Sequence, residues 1–100
     1  MSTPTPTTKP TPKTIITLDI KPWAPDTDMS SLQSAVLAIQ HDGLVWGHST
    51  LIDIGYGIKK LQQNLVIEDR VSIEDLEEEI KELQDGEWVQ STDVVGMQKL

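Results

Sequence analysis

Cysteine and phenylalanine are both absent from this chain of 100 residues, and its aromatic side chains are limited to three Trp and one Tyr. Without cysteine the chain cannot form a disulfide, a thiolate nucleophile or a cysteine-ligated zinc site, which suits a reducing compartment. No apolar run approaches the roughly 20 residues of a membrane span, and Met1 to Lys13 offers no apolar stretch for a signal peptide. We therefore expect a cytoplasmic protein without a membrane partner.

Basic residues are also scarce. Sixteen Asp and Glu stand against eight Lys and Arg, which gives a formal net charge of −8. Such a charge repels a phosphate backbone unless the cations form one concentrated patch, so direct nucleic-acid binding is disfavoured. The same charge would steer the chain towards a basic protein surface, or would simply keep it in solution.

Side chains suited to conventional catalysis are few. His41 is predicted near a helix end and His48 in a strand, and no serine occupies a nucleophile-elbow motif. The acidic run at 74–79 lies on a predicted helix, where its first members favour the positive N-terminal dipole and the others face water. Calcium loops need a turn glycine at fixed spacing, and Ser72 to Asp85 contains none. We expect no metal site, no cofactor and no covalent chemistry.

The first thirteen residues, MSTPTPTTKPTPK, are rich in Thr and Pro. Their spaced prolines forbid helix and strand pairing, which favours polyproline II or coil. We expect residues 1–13 to be a disordered tail, either a linker from an upstream domain of a longer parent or a start without a role. The folded domain is expected at 14–100, because the chain is long enough for one small core only.

Hydrophobic periodicity divides the folded part into four strands and two helices. Alternation of Ile16, Leu18 and Ile20 with polar residues predicts a strand from Thr14 to Lys21. Further strands are predicted at Leu44–Ile54, Ile58–Glu68 and Trp88–Val94, which leaves Val95–Leu100 as a short terminal extension.

The helices are predicted from apolar residues at successive spacings of three, four and three. These residues are Met29, Leu32, Val36 and Ile39 in the first helix, and Ile73, Leu76, Ile80 and Leu83 in the second. Gly43 is expected to stop the first helix as its C′ residue. Ser72, with Asp75 three residues on, predicts the N-cap of the second helix, and Asp85-Gly86 its end.

The resulting order, β-α-β-β-α-β, predicts an α+β, ferredoxin-like fold with a four-stranded antiparallel sheet and both helices on one face. In this fold the first two strands run one way and the last two the other. The hairpin tip at Gly55-Tyr56-Gly57 and the C-terminus therefore lie at opposite ends. A strand of about eight residues spans roughly 26 Å, so a partner that touches both ends is large or clamp-shaped.

An RNA-binding alternative shares this order of elements, because it is also the plan of the RNA recognition motif, and Gly55-Tyr56-Gly57 is similar to part of that motif's third-strand signature. The signature requires a basic residue where Ile54 stands and aromatic residues where Ile58 and Leu61 stand. Thr17 occupies a first-strand position where a stacking ring would help. With few stacking rings and a negative charge, base binding has little physical support.

Several longer motifs occur in order along the folded part: KPW at 21–23, DGLVWG at 42–47, GYGIKKLQ at 55–62, ED at 68–69 and VQSTDVVGMQKL at 89–100. They resemble the guanine nucleotide exchange domain of eukaryotic elongation factor 1-beta and its delta relative. The resemblance covers Thr14 to Leu100. Longer members of that family carry an N-terminal domain that binds the gamma subunit and an acidic segment, and the Thr/Pro tail resembles neither.

The resemblance implies replacement of GDP by GTP on elongation factor 1-alpha, with the gamma subunit as a further partner of a longer parent chain. It implies that Lys99 is pushed towards the magnesium and phosphate region of the G protein, with Met97, Gln98 and Leu100 contacting the partner beside it. It also implies that Tyr56 contacts a second domain of the G protein.

The residues alone leave other roles open. A lysine one residue from the C-terminus is usually part of a frayed end, and an aromatic residue between two glycines can simply cover a tight turn. Trp23, Trp46 and Trp88 are expected to pack in the core or at the sheet edge. Lys59 and Lys60 are expected to project from opposite faces of their strand.

Overall fold

The computed structural model describes residues 12–100. The elements in chain order are β1 (Lys13–Pro22), α1 (Met29–Leu37), β2 (Leu44–Gly55), β3 (Ile58–Glu68), α2 (Ile73–Lys81), a 3-10 turn (Leu83–Gly86) and β4 (Val89–Lys99). The predicted order β-α-β-β-α-β is therefore confirmed. Lys13 already belongs to β1, and the rest of the predicted tail, apart from Pro12, lies outside the described residues.

The four strands form one sheet in the order β2-β3-β1-β4, and every neighbouring pair is antiparallel. The edge strands are β2 and β4. As predicted, β1 and β2 run one way while β3 and β4 run the other. We call the end with the β2–β3 connection at 55–58 the tip end, and the end where Thr14 pairs with Lys99 the terminal end.

The core fills the space between one face of the sheet and the two helices, because even-numbered residues of β1 and odd-numbered residues of β3 point towards both helices. Its fully buried apolar side chains come from four elements: Ile16, Leu18 and Ile20 of β1, Leu61 and Leu65 of β3, Leu32 and Val36 of α1, and Ile80 of α2. Burial of each such side chain contributes about 1.5–3 kcal/mol. The opposite face of the sheet, which we call the open face, is not covered by any helix within residues 12–100.

Both helices begin at side-chain caps. The Asp28 carboxylate accepts hydrogen bonds from the backbone N–H groups of Ser30 and Ser31, each at 3.1 Å, and so caps α1. The predicted cap of α2 is confirmed, since Ser72 Oγ accepts from Asp75 N at 3.2 Å. These bonds satisfy N–H groups that have no partner within the helix.

The predicted helix ends are wrong. Helix α1 ends at Leu37 rather than before Gly43, and the indole Nε1 of Trp46 donates to the Ile39 carbonyl at 2.8 Å, which holds the chain as it turns towards β2. Gly43 instead lies in the turn before β2, with a φ of 92°. Helix α2 ends at Lys81, and Asp85-Gly86 closes the 3-10 turn that follows it.

The prediction that β4 ends at Val94 is also wrong, because β4 continues to Lys99 and pairs with β1 along this whole length. The pairing shifts register twice. Gln90 is extra relative to β1 between the pairs Pro22↔Val89 and Lys21↔Ser91, and Val95 is extra between the pairs Leu18↔Val94 and Thr17↔Gly96, where it forms a β-bulge. The bulge breaks the alternation of apolar and polar residues after Val94. For this reason the sequence pattern indicated a strand end there.

Within residues 12–100, no helix is long and apolar enough to cross a membrane.

Candidate functional site

The tip end is a two-residue hairpin turn. Gly55 pairs with Ile58, and the two residues between them, Tyr56 and Gly57, both have positive φ, 56° and 76°. Two positive φ values identify a type I′ turn, whose twist matches that of the strands. The backbone N–H of Gly55 donates to Asp53 Oδ1 at 3.0 Å, which fixes the chain as it enters the turn.

Tyr56 stands out in this turn. A bulky L-residue at positive φ is uncommon and costs of order 1–3 kcal/mol when nothing offsets it. The ring is 98% exposed, so it neither covers the turn nor contributes to the core. Of the two roles that the sequence left open, the structure therefore removes turn packing and leaves an exposed aromatic side chain on a strained backbone.

The tip end also carries further exposed apolar side chains. Ile54 and Leu51 lie on β2 close to the turn and are both partly exposed. Trp23, just after β1, is 58% exposed, and its indole Nε1 donates to the Gly86 carbonyl at 3.1 Å. Trp46 and Trp88 pack against the core as expected. The sequence did not distinguish Trp23 from them.

The terminal end presents four of the residues that the resemblance singled out. In β4, Met97, Gln98 and Lys99 pair with Ile16, Ile15 and Thr14 of β1, and the N–H of Leu100 donates to the Lys13 carbonyl at 2.9 Å. The C-terminus is therefore held by a ladder rather than frayed. All four side chains are exposed. Large apolar side chains in water at a chain end, such as Met97 and Leu100, suggest a contact surface.

The charge of Lys99 is available to a partner. Within residues 12–100 its ammonium has no carboxylate within ion-pair distance, whereas Lys60 is held by Asp19 at 2.7 Å and Lys81 by Glu78 at 3.3 Å. Residues 73–87 carry eight of the sixteen acidic residues but only one of the eight basic residues. The negative charge is therefore concentrated on the helical side.

The structure separates the two predicted contact sites. Tyr56 lies at the tip end, and Met97, Gln98, Lys99 and Leu100 lie together at the terminal end. The eleven residues of β3 span the sheet between these ends, and at about 3.3 Å per residue such a strand is roughly 33 Å long. One partner that touches both must cover the length of the sheet.

The open face carries a polar network that the sequence analysis missed. The side chain of Asp19 accepts from Lys60 Nζ at 2.7 Å and from Gln62 Nε2 at 3.1 Å, and Thr17 Oγ1 donates to Asn64 Oδ1 at 3.1 Å. Asp19 is only 4% exposed. A buried carboxylate needs such partners. Alternation places Lys60 on this face, so Lys59 projects from the other one, as predicted.

This network weakens the RNA-binding alternative. A recognition motif stacks bases on aromatic rings in the first and third strands. Here the open-face positions of β1 and β3 carry Thr17, Asp19 and Asn64 among other non-aromatic residues, with a carboxylate near the centre. Tyr56 lies in the hairpin turn rather than on that face. A stacking platform therefore has no rings in these two strands.

The two histidines have structural surroundings. His41 Nε2 lies 2.5 Å from Glu79 Oε2, which ties the α1–β2 loop to α2, and His48 is exposed on β2.

Arg70 lies near His41. Its hydrogen bond to Glu68, and next the charge of Asp42, raise the pKa of Arg70 above its usual range. A cavity lined by residues of the α1–β2 loop, the β3–α2 loop and α2 lies beside His41 and Arg70. Within residues 12–100 there is no group of three or more acidic or histidine side chains placed to hold a metal ion.

Comparison with known proteins identifies the family. The model of the EF-1 guanine nucleotide exchange domain matches residues 15–100. The chain is 52% identical to elongation factor 1-beta of Penicillium citrinum over 92% of its own length and 40% of that protein, and 50% identical to elongation factor 1-beta of Saccharomyces cerevisiae over 92% and 44%. It is 49% identical to elongation factor 1-delta of Xenopus laevis over 88% of the chain and 33% of that protein.

The chain thus spans roughly two-fifths of the length of the beta-type relatives it matches. The match includes the tip, the open face and the terminal segment, because it runs from the third residue of β1 to Leu100. It therefore covers both ends at which exposed side chains collect. The chain belongs to the family of EF-1 guanine nucleotide exchange domains.

Proposed function

We propose that this chain is a guanine nucleotide exchange factor of translation elongation, which promotes GDP release and GTP loading on elongation factor 1-alpha. The observation that carries the proposal is Lys99, which is exposed at the end of a paired strand and has no carboxylate partner among residues 12–100, in a chain of this family. No covalent chemistry is involved. Because translation elongation runs in the cytoplasm, the proposed role places the protein there.

The proposed mechanism uses the charge of Lys99. Nucleotide affinity in such G proteins depends on Mg²⁺ that bridges phosphate oxygens and protein oxygens. An ammonium pushed into that region competes with Mg²⁺ for its position beside the phosphates. It supplies only a compact point charge, without the several coordination bonds of the metal. GDP is then held more weakly and leaves. Thermodynamic reciprocity requires nucleotide to weaken the binding of the exchange factor equally, so incoming GTP helps to eject it.

The terminal strand suits this role mechanically. A frayed end would lose conformational entropy on insertion, of order 1–2 kcal/mol for each backbone residue that becomes fixed. In β4 the residues up to Lys99 are already fixed by pairing with β1, and Leu100 is held by the Lys13 carbonyl. Met97, Gln98 and Leu100 flank the lysine and would contact the G protein around its nucleotide site.

The tip end supplies the second proposed contact. Tyr56 projects almost completely into solvent from the two-residue turn, where its ring is free to enter a pocket of the partner as an aromatic anchor. Because the tip lies at the opposite end of the sheet from Lys99, it would engage a different domain of the G protein. The gamma subunit is a further proposed partner of a longer parent chain, through a region upstream of the residues that the structure describes.

The direct test is release of fluorescent GDP from purified elongation factor 1-alpha, with and without this chain. We expect release to be accelerated in proportion to the amount of chain at low concentration. Binding to single-stranded RNA at physiological salt, measured in parallel, should be negligible. Salt-sensitive RNA binding without any acceleration of GDP release would favour the recognition-motif alternative and refute the exchange function.

A further inference from the structure

The bulge in β4 determines which face of the sheet Lys99 occupies. Directly opposed residues in an antiparallel pair share a face. Val94, opposite Leu18, and Met97, opposite Ile16, both lie on the helix-covered face, although they are three positions apart in the chain. Strict alternation would put residues three apart on opposite faces. The extra residue at Val95 restores the match, and Lys99, opposite Thr14, follows Met97 onto that face.

A strand without the bulge would present the lysine differently. If β4 continued in regular register from Val94, Val95 would stand opposite Thr17, Gln98 opposite Thr14, and Lys99 opposite Lys13. A slip of one residue moves every following side chain to the other face. Lys99 would then lie on the open face, about 3.3 Å further along β1. The bulge therefore determines which of two positions the Lys99 ammonium occupies.

Gly96 permits the bulged register. It stands opposite Thr17, where an added Cβ would lie 3.3 Å from the Thr17 Cβ and 3.4 Å from its Oγ1. Thr17 has little room to move aside, since its hydroxyl donates to Asn64. A side chain larger than glycine at position 96 would therefore crowd Thr17 in the bulged register. The bulge places glycine there and leaves Val95 about half exposed at the edge of the sheet.

We propose that the Val95 bulge, made possible by the glycine at 96 opposite Thr17, is the positioning element that delivers Lys99 from the helix-covered face of the sheet. The inference rests on the proposed exchange function and adds a requirement to it: the face and reach of the lysine matter, not only its presence. Neither Val95 nor Gly96 has to touch the nucleotide site for this role.

Two variants separate the face of Lys99 from the bulge itself. The double substitution Val95→Gly/Gly96→Val keeps composition and length but moves the glycine to position 95. The regular register then fits Thr17, and Lys99 should slip to the open face. Deletion of Val95 removes the extra residue, so that Gly96 follows Val94 directly and Lys99 stays opposite Thr14 without a bulge.

The experiment measures register and exchange together. Register is read from cross-strand NMR contacts: Lys99 with Thr14 in the wild type and in the Val95 deletion, and Lys99 with Lys13 in the double substitution. We expect the deletion to exchange GDP within a few-fold of the wild type. The double substitution should fall to the level of Lys99→Ala, a loss of about 10²-fold or more. Thermal unfolding checks that both variants fold.

Each contrary result has a separate meaning. If the double substitution keeps the Lys99–Thr14 contact, the bulge does not need glycine at 96 and the structural half of the inference is wrong. If its register slips but exchange stays normal, the face of Lys99 does not matter. If the deletion loses exchange with Lys99 still opposite Thr14, the bulge itself is required rather than the face. Failure of the wild type to exchange GDP would refute the proposed function, while the NMR contacts would still decide the register.

Discussion

The two ends of the sheet present their exposed side chains in different ways. At the tip end a strained backbone projects a single ring, with Tyr56 at a φ of 56° and almost entirely in solvent. At the terminal end the backbone is paired with β1 up to Lys99, and the bulge at Val95 sets the face of the sheet on which Lys99 lies. The tip is formed by residues adjacent in the chain. The position of the terminal end instead depends on pairing with β1, a strand more than seventy residues away in the chain.

This difference indicates different roles for the two ends. A projecting aromatic ring adds affinity when it enters a pocket of the partner, because its apolar surface is removed from water. A charge that must reach a phosphate site has to be held at a set position, and paired strands hold positions more firmly than loops do. We therefore expect substitutions at the tip to change how tightly the partner is held, and substitutions at the terminal end to change how fast nucleotide leaves.

The largest effect is expected from Lys99→Ala. Loss of one preorganised charge should slow GDP release by about 10²–10³-fold, or roughly 2.7–4 kcal/mol, by analogy with removal of a single electrostatic group. Lys99→Arg should also be impaired, because a planar guanidinium does not occupy the space of a compact ammonium. Stopped-flow release of fluorescent GDP measures both.

Two controls sharpen this result. Lys21→Ala removes an exposed lysine at the tip end and should leave the plateau rate of exchange unchanged. Lowering free Mg²⁺ should speed spontaneous release and shrink the difference between wild type and Lys99→Ala. Wild-type exchange by Lys99→Ala in saturating Mg²⁺ would contradict the insertion mechanism.

At the tip, Tyr56→Ala should weaken engagement of the G protein by about 1–3 kcal/mol if the ring is a buried anchor in the complex. Tyr56→Phe keeps the ring and serves as the matched control. Calorimetric titration of the partner with each variant measures the difference. Equal affinities for the wild type and the alanine variant would remove the tip from the interface.

A smaller effect concerns the stability of the free chain. Tyr56→Asn creates the Asn-Gly pair that type I′ turns prefer, and Asn tolerates positive φ better than Tyr does. Because the exposed ring contributes nothing to the core, this change should raise the free energy of unfolding by about 1 kcal/mol. It should also weaken partner binding as Tyr56→Ala does. Urea unfolding checks the first effect, and an unchanged or lower midpoint would mean that the turn is not strained.

The smallest effect is a pH dependence at the start of α1. Hydrogen bonds from the Ser31 side chain and backbone lower the pKa of Asp28 below its ordinary value of 3.8. A lowered pKa in the folded state contributes stability above the unfolded value, and this contribution is lost as pH falls through the folded value. Asp28→Asn keeps a capping oxygen but does not titrate. The stability advantage of the wild type over this variant should therefore diminish below about pH 4, which thermal melts at a series of pH values would reveal.

Much of the fold could be predicted from the sequence because its signals are local. Alternation at Ile16, Leu18 and Ile20 predicted β1, and Ser72 with Asp75 predicted the cap of α2, since each depends on residues close in the chain. The continuation of β4 could not be predicted in this way. It depends on pairing with β1, and the bulge at Val95 removes the periodicity that would have revealed it.

The candidate site shows the same difference between local and long-range signals. Gly55-Tyr56-Gly57 indicated the hairpin tip directly, but only the structure shows that the ring is exposed rather than covering the turn. The buried carboxylate of Asp19 was missed, because its partners Lys60 and Gln62 lie on a strand some forty residues away. The end of α1 was placed too late, because Gly43 lies in the turn before β2 rather than at the end of the helix.

The most direct test of the two-ended account is the rate of GDP release from elongation factor 1-alpha measured against the concentration of this chain, for the wild type, Tyr56→Ala and Lys99→Ala. If the two ends have separate roles, Tyr56→Ala should raise the half-saturating concentration with its plateau rate little changed. Lys99→Ala should lower the plateau about 10²-fold or more at a similar half-saturating concentration. Separate roles would be ruled out if the two substitutions changed the same parameter, and the insertion of Lys99 would be ruled out if Lys99→Ala reached the wild-type plateau.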